Sequence, residues 1–203
     1  MTTAVLSLPK SRTRGFVPRS FSWTCGLFHD LCDTGLMEGR NVILVSGEIV
    51  EMPPPNPPLN TGLTLTNEAL RTIFPRGYVI RNQMALDLDL HTDPVPDLAV
   101  VVGEPRDFTT RQATTAELVV EISDSTLDYD TTTKAELYAA GRIAEYWIVD
   151  VANRKLHVYR KPVAKPAGRG GNAYRTRQTF GPNDTVSPLA MPTAIVKVAD
   201  LLP

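Results

Sequence analysis

Hydrophobic positions along the chain follow two patterns. Residues 98–102 (LAVVV) and 118–122 (LVVEI) are apolar on both faces apart from Glu121, as in central strands covered on two sides. Residues 41–45, 48–52, 146–150, 155–160 and 174–180 read as further strands, with Ser46-Gly47 and Asn153-Arg154 as two-residue hairpin turns between pairs of them. Residues 78–90 end in the alternation Ala85-Leu86-Asp87-Leu88-Asp89-Leu90, which predicts a strand that buries one face. Helical spacing occurs at 22–33, capped by Ser22 and ended by Gly35. It recurs at 60–74, with Leu63, Leu70 and Phe74, and at 129–140, ahead of Gly141. The run MPPPNPP predicts irregular structure, and residues 194–202 a short apolar strand or helix packed on the body. Strands covered on both sides require helices on two faces of the sheet, so the fold class is α/β, with an N-terminal helix and hairpin.

Composition adds bounds. The 203 residues are 42% hydrophobic and 21% charged, which is ordinary for a globular chain. Such a length buries enough surface to fold without disulfides or structural metal. A single domain at 21–203 behind a flexible arm at 1–20 is expected. No apolar run approaches the ~20 residues that span a bilayer, and the basic residues near the N-terminus follow the apolar stretch, the reverse of a secretory signal. Cys25 and Cys32 sit seven apart on a predicted helix, too far for a disulfide, so free thiols and a cytoplasmic location are expected. With His29 between them a zinc site is conceivable, but the spacing matches no common pattern and packing is the favoured role.

Charge is unevenly distributed. Residues 81–150 hold fourteen acids and five bases, while 151–180 hold eight bases and no acid: Arg154, Lys155, Arg160, Lys161, Lys165, Arg169, Arg175 and Arg177. An acid-rich middle suits a divalent cation and the basic strands suit phosphate, although exposed basic strands are most often simply solvated. The cluster Gly168, Gly170, Gly171 makes a loop, not a phosphate-binding loop, since no Lys-Ser or Lys-Thr follows. No G-x-S-x-G elbow exists, and His29, His91 and His157 lack recognisable catalytic partners, His157 reading as a solvent-facing strand residue.

The residue out of place is Glu121, a carboxylate inside a buried strand, where an unpaired charge costs several kcal/mol. Alternation puts Val119, Glu121 and Ser123 on one face. Asp97 begins the other covered strand, and a loop of about thirteen residues lets the two strands pair antiparallel, bringing both carboxylates together. Such a pair suits Mg2+ or a similar hard cation. The alternative is that Asp97 caps a turn and Glu121 pairs with an arginine such as Arg142. Asp130, Lys134 and Tyr138, four apart, share a helix stripe; if it faces the sheet, Lys134 reaches the scissile phosphate, and otherwise Asp130 and Lys134 are a surface ion pair.

The runs PDLAVVV, LVVEISDSTLDYDTTTKAELYAAGRIAEYWIVD and KLHVYR, with the earlier GEIVEMPP, resemble the Uma-two family of the PD-(D/E)xK, or restriction-endonuclease-like, superfamily. The resemblance covers about residues 21–202. It implies a mixed sheet between helices and a divalent-metal-dependent endonuclease. Asp97 and Glu121, with the carbonyl of Ile122, would bind Mg2+ or Mn2+, and Lys134 would be the catalytic amine, since Ser123 stands where the usual E-x-K lysine would fall. Glu48, Ser123, Asp130 and Tyr138 are expected to support the site. Arg154, Lys155, Arg160, Lys161, Arg175 and Arg177 are expected to meet the backbone of a nucleic acid, DNA being favoured, and a homodimer is expected. Two positions depart from the family pattern: Ile43 replaces the first glutamate of the hairpin, and Leu59 stands where a histidine is common. They leave open an inactive member that serves as a nucleic-acid or protein interaction module.

Overall fold

The structure, a computed structural model, describes residues 19–164 and 172–203. Most of the expected arm, together with Lys165, Arg169 and the glycine cluster, lies outside the described residues. Six strands form one mixed sheet: β3 (Tyr78–Asn82), β4 (Leu98–Val102), β5 (Leu118–Ser123), β6 (Glu145–Asp150), β7 (Lys155–Ala164) and β8 (Asn172–Phe180), in that spatial order. Every neighbouring pair is antiparallel except β5–β6. A parallel pair needs a crossover, supplied by the helical segment at 127–140. Two short strands, β9 (Thr185–Val186) and β10 (Val196–Lys197), pair separately near the C-terminus.

One face of the sheet is covered by α2 (Pro57–Ile73) and the C-terminal segment. Leu63 and Leu70 pack there with Leu98, Val120, Trp147 and Leu201. The crossover covers the other face, where Tyr138 meets Val119, Tyr146 and Ile148. Helices on both faces are thus observed. Gly62 permits the close approach of α2 to β5: a Cβ there would lie 3.0 Å from Cγ2 of Ile122.

The first helix, α1 (Cys25–Asp33), is capped by Thr24, whose side chain accepts from the Leu27 amide at 3.3 Å. Ser22, the expected cap, instead contacts Nδ1 of His91. The hairpin β1 (Val42–Val45) and β2 (Glu48–Glu51) turns through Ser46 and Gly47, both at positive φ, the geometry that suits strand twist. Cys25 and Cys32 are free thiols.

Three expectations fail locally. The proline run does not stay irregular: Asn56 caps α2, its side chain accepting from the Leu59 amide at 3.1 Å, and Pro57 and Pro58 form the first turn. Prolines are tolerated there because those N–H groups have no helical partner. The alternation at 85–90 is not a strand. Gln83, at φ 48°, turns the chain out of β3, and the segment folds back with Leu86 N–H donating to the Pro94 carbonyl at 2.9 Å. Leu86 is buried while Leu90 is exposed. The helix predicted at 129–140 is composite: an α turn α3 (Leu127–Tyr129), a π-helical stretch Asp130–Lys134, then α4 (Ala135–Ala140). Thr131 and Thr132 donate their hydroxyls to the carbonyls of Leu127 and Asp128, back-bonding of a kind that bends helices. Among the described residues no helix is long and apolar enough to cross a membrane.

Candidate active site

The β4–β5 ladder ends at Leu98–Val120, so the next residues outward, Asp97 and Glu121, face each other where the strands part. Oδ2 of Asp97 accepts from the Ile122 amide at 2.8 Å, and the Asp97 amide lies 3.4 Å from Oε2 of Glu121. N–H and C=O of one strand residue point to the same edge, so the Ile122 carbonyl is also aimed toward Asp97. Gln83, whose left-handed backbone places it here, donates Nε2 to Oδ1 of Asp97 at 3.4 Å.

The crossover completes the cluster from above the sheet. Nζ of Lys134 lies 2.9 Å from Oε2 of Glu121 and 3.2 Å from Oδ1 of Asp130. Tyr138 donates its hydroxyl to Oε1 of Glu121 at 2.6 Å, Thr126 donates to Oδ2 of Asp130 at 2.6 Å, and Tyr146 donates to the Asp130 carbonyl at 3.0 Å. The π-helical turn thus presents Asp130 and Lys134 to Glu121 while α4 still brings Tyr138 to the same carboxylate. Turns of this kind recur at functional sites.

Glu121 is 2% exposed and Lys134 7%. Burial pushes the Glu121 carboxyl up to about 8, against the opposing pull of Lys134. Burial also raises Asp97, despite the hydrogen bond from Ile122 and the nearby ammonium. For Lys134, burial disfavours the charge, but Glu121 and Asp130 outweigh it and hold the amine above its ordinary value. Burial lifts the Tyr138 hydroxyl well above the tyrosine range, so it remains a donor.

These groups open into a cavity of about 330 Å3. Asp97, Glu121, Ile122 and Lys134 line it together with Asn41, Gln83 and Thr126 and the apolar Ile43, Met52, Pro53, Pro55, Leu59 and Val95. The two departures from the family pattern, Ile43 and Leu59, therefore line the same cavity as the carboxylates. A cavity of about 490 Å3 adjoins it, sharing Met52, Pro53 and Thr126. Tyr129 lines this second space with its hydroxyl buried and without a hydrogen-bond partner.

Several expected residues lie elsewhere. Glu48 is exposed at the start of β2, outside the cavity lining. Ser123 is fully buried beside Asp150, also outside that lining. Arg142 is exposed on a turn, and Lys134 is the cation that Glu121 meets. Arg160 is not a free basic side chain: it holds the buried Glu145 at 2.6 Å and donates to the Ser187 carbonyl. His157 is not simply solvent-facing but is 3.4 Å from Asp150 and 3.0 Å from Thr179. Lys155, Lys161, Arg175 and Arg177 are exposed. The register Ser123–Asp150–Lys155 puts Arg154 and Lys155 at the cavity's end of the sheet, and Val119–Tyr146–Tyr159–Arg177 runs across its other end. Gln83, Thr126 and Tyr129 went unmarked in the sequence, because only the turn out of β3 and the composite helix bring them to the cluster.

A divalent ion fits the donor set in part. Two carboxylates and a carbonyl that has left the ladder are hard oxygen donors, and Mg2+ commonly takes one or two carboxylates with water and phosphate. Among the described residues no three His, Cys, Asp or Glu side chains are grouped to hold a metal unaided.

The fold is restriction-endonuclease-like. A family described as "Putative restriction endonuclease", Uma2, matches residues 27–199, and the chain belongs to that family. It is similar to the crystal structure of "a putative nuclease belonging to DUF820" from Anabaena variabilis, with a TM-score of 0.60 and 17% identity over 79% of this chain and 88% of that one. No curated protein matches.

Proposed function

We propose that the chain is a divalent-metal-dependent endonuclease that hydrolyses phosphodiester bonds in nucleic acid, with DNA as its substrate. The observation that carries this reading is the convergence of Asp97, Glu121 and Lys134 on one cavity. Asp97, Glu121 and the Ile122 carbonyl would hold Mg2+ or Mn2+. A bound ion would polarise the scissile phosphate and make an attacking water more acidic. Lys134 sets its ammonium against charge developing on the phosphate oxygens. Asp130 and Thr126 fix the direction of Lys134, and Tyr138 fixes the rotamer of Glu121. Arg154 and Lys155 contact the backbone of the bound strand. Residues 21–203 act as one cytoplasmic domain, and as a homodimer.

Incubation with supercoiled plasmid and Mn2+ tests this reading. The wild type nicks, and Asp97→Asn and Lys134→Ala lose at least a hundredfold. Equal nicking by all three would defeat it. Ile43 and Leu59 in the wall favour one second reading, a metal-free interaction module, which predicts binding without nicking.

A further inference from the structure

The two adjoining cavities have a composition that the cleavage reading does not by itself explain. The reacting groups lie at the floor of a space of about 330 Å3, with Glu121 almost wholly buried. That volume is at the small end for a ligand pocket, room for about one nucleotide unit and not for a base pair. Six of its lining residues, Ile43, Met52, Pro53, Pro55, Leu59 and Val95, form an apolar stretch of wall, beside the polar Asn41, Gln83 and Thr126. In a duplex the base faces are stacked on one another, so only an unpaired base can cover such a wall.

Charge points the same way. Lys134 is the one basic residue among those lining the first cavity, and it is committed to Glu121 and Asp130. The second cavity is lined by Glu51, Asp124 and Asp128 and by no basic residue. Arg40 offsets Glu51 at 3.2 Å, and Asn56 donates to Asp124. A duplex brings one phosphate charge per ~1.7 Å of axis to this acidic mouth, twice the density of one strand. Beyond Met52, Pro53 and Thr126 the second space continues the path.

Resting on the nuclease reading, we infer that the substrate is an unpaired strand: the two cavities take consecutive nucleotides of a single-stranded region, with a base against the apolar wall and its phosphate at Asp97, Glu121 and Lys134. The β1–β2 hairpin and the proline turn are the elements that exclude the duplex, and a supercoiled plasmid is nicked where negative supercoiling opens unpaired stretches.

The test uses end-labelled oligonucleotides of one sequence in three forms: single strand, blunt duplex, and duplex with a splayed end. Cleavage is followed in Mn2+, and binding by fluorescence anisotropy in Ca2+. The single strand and the splayed arm are expected to be cut, and bound, at least tenfold better than the blunt duplex. Val95→Trp, at the partly exposed rim, is expected to lower single-strand binding at least tenfold with its melting temperature unchanged. Duplex bound or cut as well as single strand overturns the inference, as does binding of neither. Preferential binding of single strand without cleavage sustains it while removing the nuclease reading.

Discussion

Nζ of Lys134 lies 2.9 Å from Oε2 of Glu121, and both side chains are almost fully buried. A lysine from the crossover helix thus neutralises a carboxylate in the middle strand of the sheet, across the layer between them. Asp130 adds a second carboxylate to the same ammonium.

Above about pH 8, where Glu121 is ionised, removing that ammonium leaves two buried carboxylates without a counter-charge, and breaking a buried pair typically costs about 3–5 kcal/mol. Lys134→Ala is therefore expected to lower the urea-unfolding free energy by that order. Glu121→Gln placed on top should recover a substantial part, and a double-mutant cycle from urea titrations measures the coupling. Strict additivity of the two changes would refute a direct pair.

Stability should fall with rising pH across a defined window. Glu121 keeps its proton to about pH 8 in the folded chain against an ordinary 4.5, so between these values the folded state holds more protons than the unfolded one, and raising the pH favours unfolding. Asp97, also raised by burial, acts in the same direction. Lys134, raised as well, loses its contribution only above its ordinary 10.5 and stays out of this window. At the proposed metal site a divalent ion would bind only the ionised carboxyls of the folded chain, so the rise in Tm caused by Mg2+ should grow with pH and level off above about 8. Thermal scans from pH 5 to 9, with and without Mg2+, show this. A metal-induced gain independent of pH would contradict it.

Ile43, 4% exposed, lines the same cavity as Asp97 and Glu121. Ile43→Glu adds a third carboxylate where the family pattern has one. It should raise Mn2+ affinity about tenfold by calorimetry and lower the Tm of the metal-free protein. A variant that binds metal no better would place this position outside the ion's reach.

Arg160 and Lys155 should behave differently, although both belong to the basic stretch. Arg160 is held by Glu145 and the Ser187 carbonyl, so Arg160→Ala should destabilise by about 3–5 kcal/mol. Lys155→Ala should leave stability within about 0.5 kcal/mol and reduce the salt slope of nucleic-acid binding by about one. Urea titration and binding at several salt concentrations separate the two.

How far the sequence could be read follows from what each signal depends on. Uninterrupted apolar runs identify β4 and β5 because covering both faces leaves no polar position free, and this makes Glu121 conspicuous. Antiparallel neighbours with charged residues at matching ends bring Asp97 to it, an inference that needs no side-chain coordinates. The start of α2 is hidden in the sequence because prolines read as helix breakers, while Asn56 makes Pro57 and Pro58 the first turn. The alternation at 85–90 mimics a strand, but among the described residues no strand lies beyond β3 to pair with it, and the turn at Gln83 depends on its surroundings. The π-helical stretch, the cavity wall and the Glu145 partner of Arg160 arise from contacts between distant segments, which local periodicity does not encode.

The polar cluster is drawn from a continuous length of chain, Asp97 through Tyr138, whereas most of the apolar wall comes from residues 43–59. These two blocks meet at the cavity and through the hydrogen bond from Asn56 to Asp124. Substitutions in the hairpin and proline turn can therefore recast which molecules are admitted while the ionisable trio keeps its geometry, so descendants of this scaffold are free to change diet without relearning their chemistry.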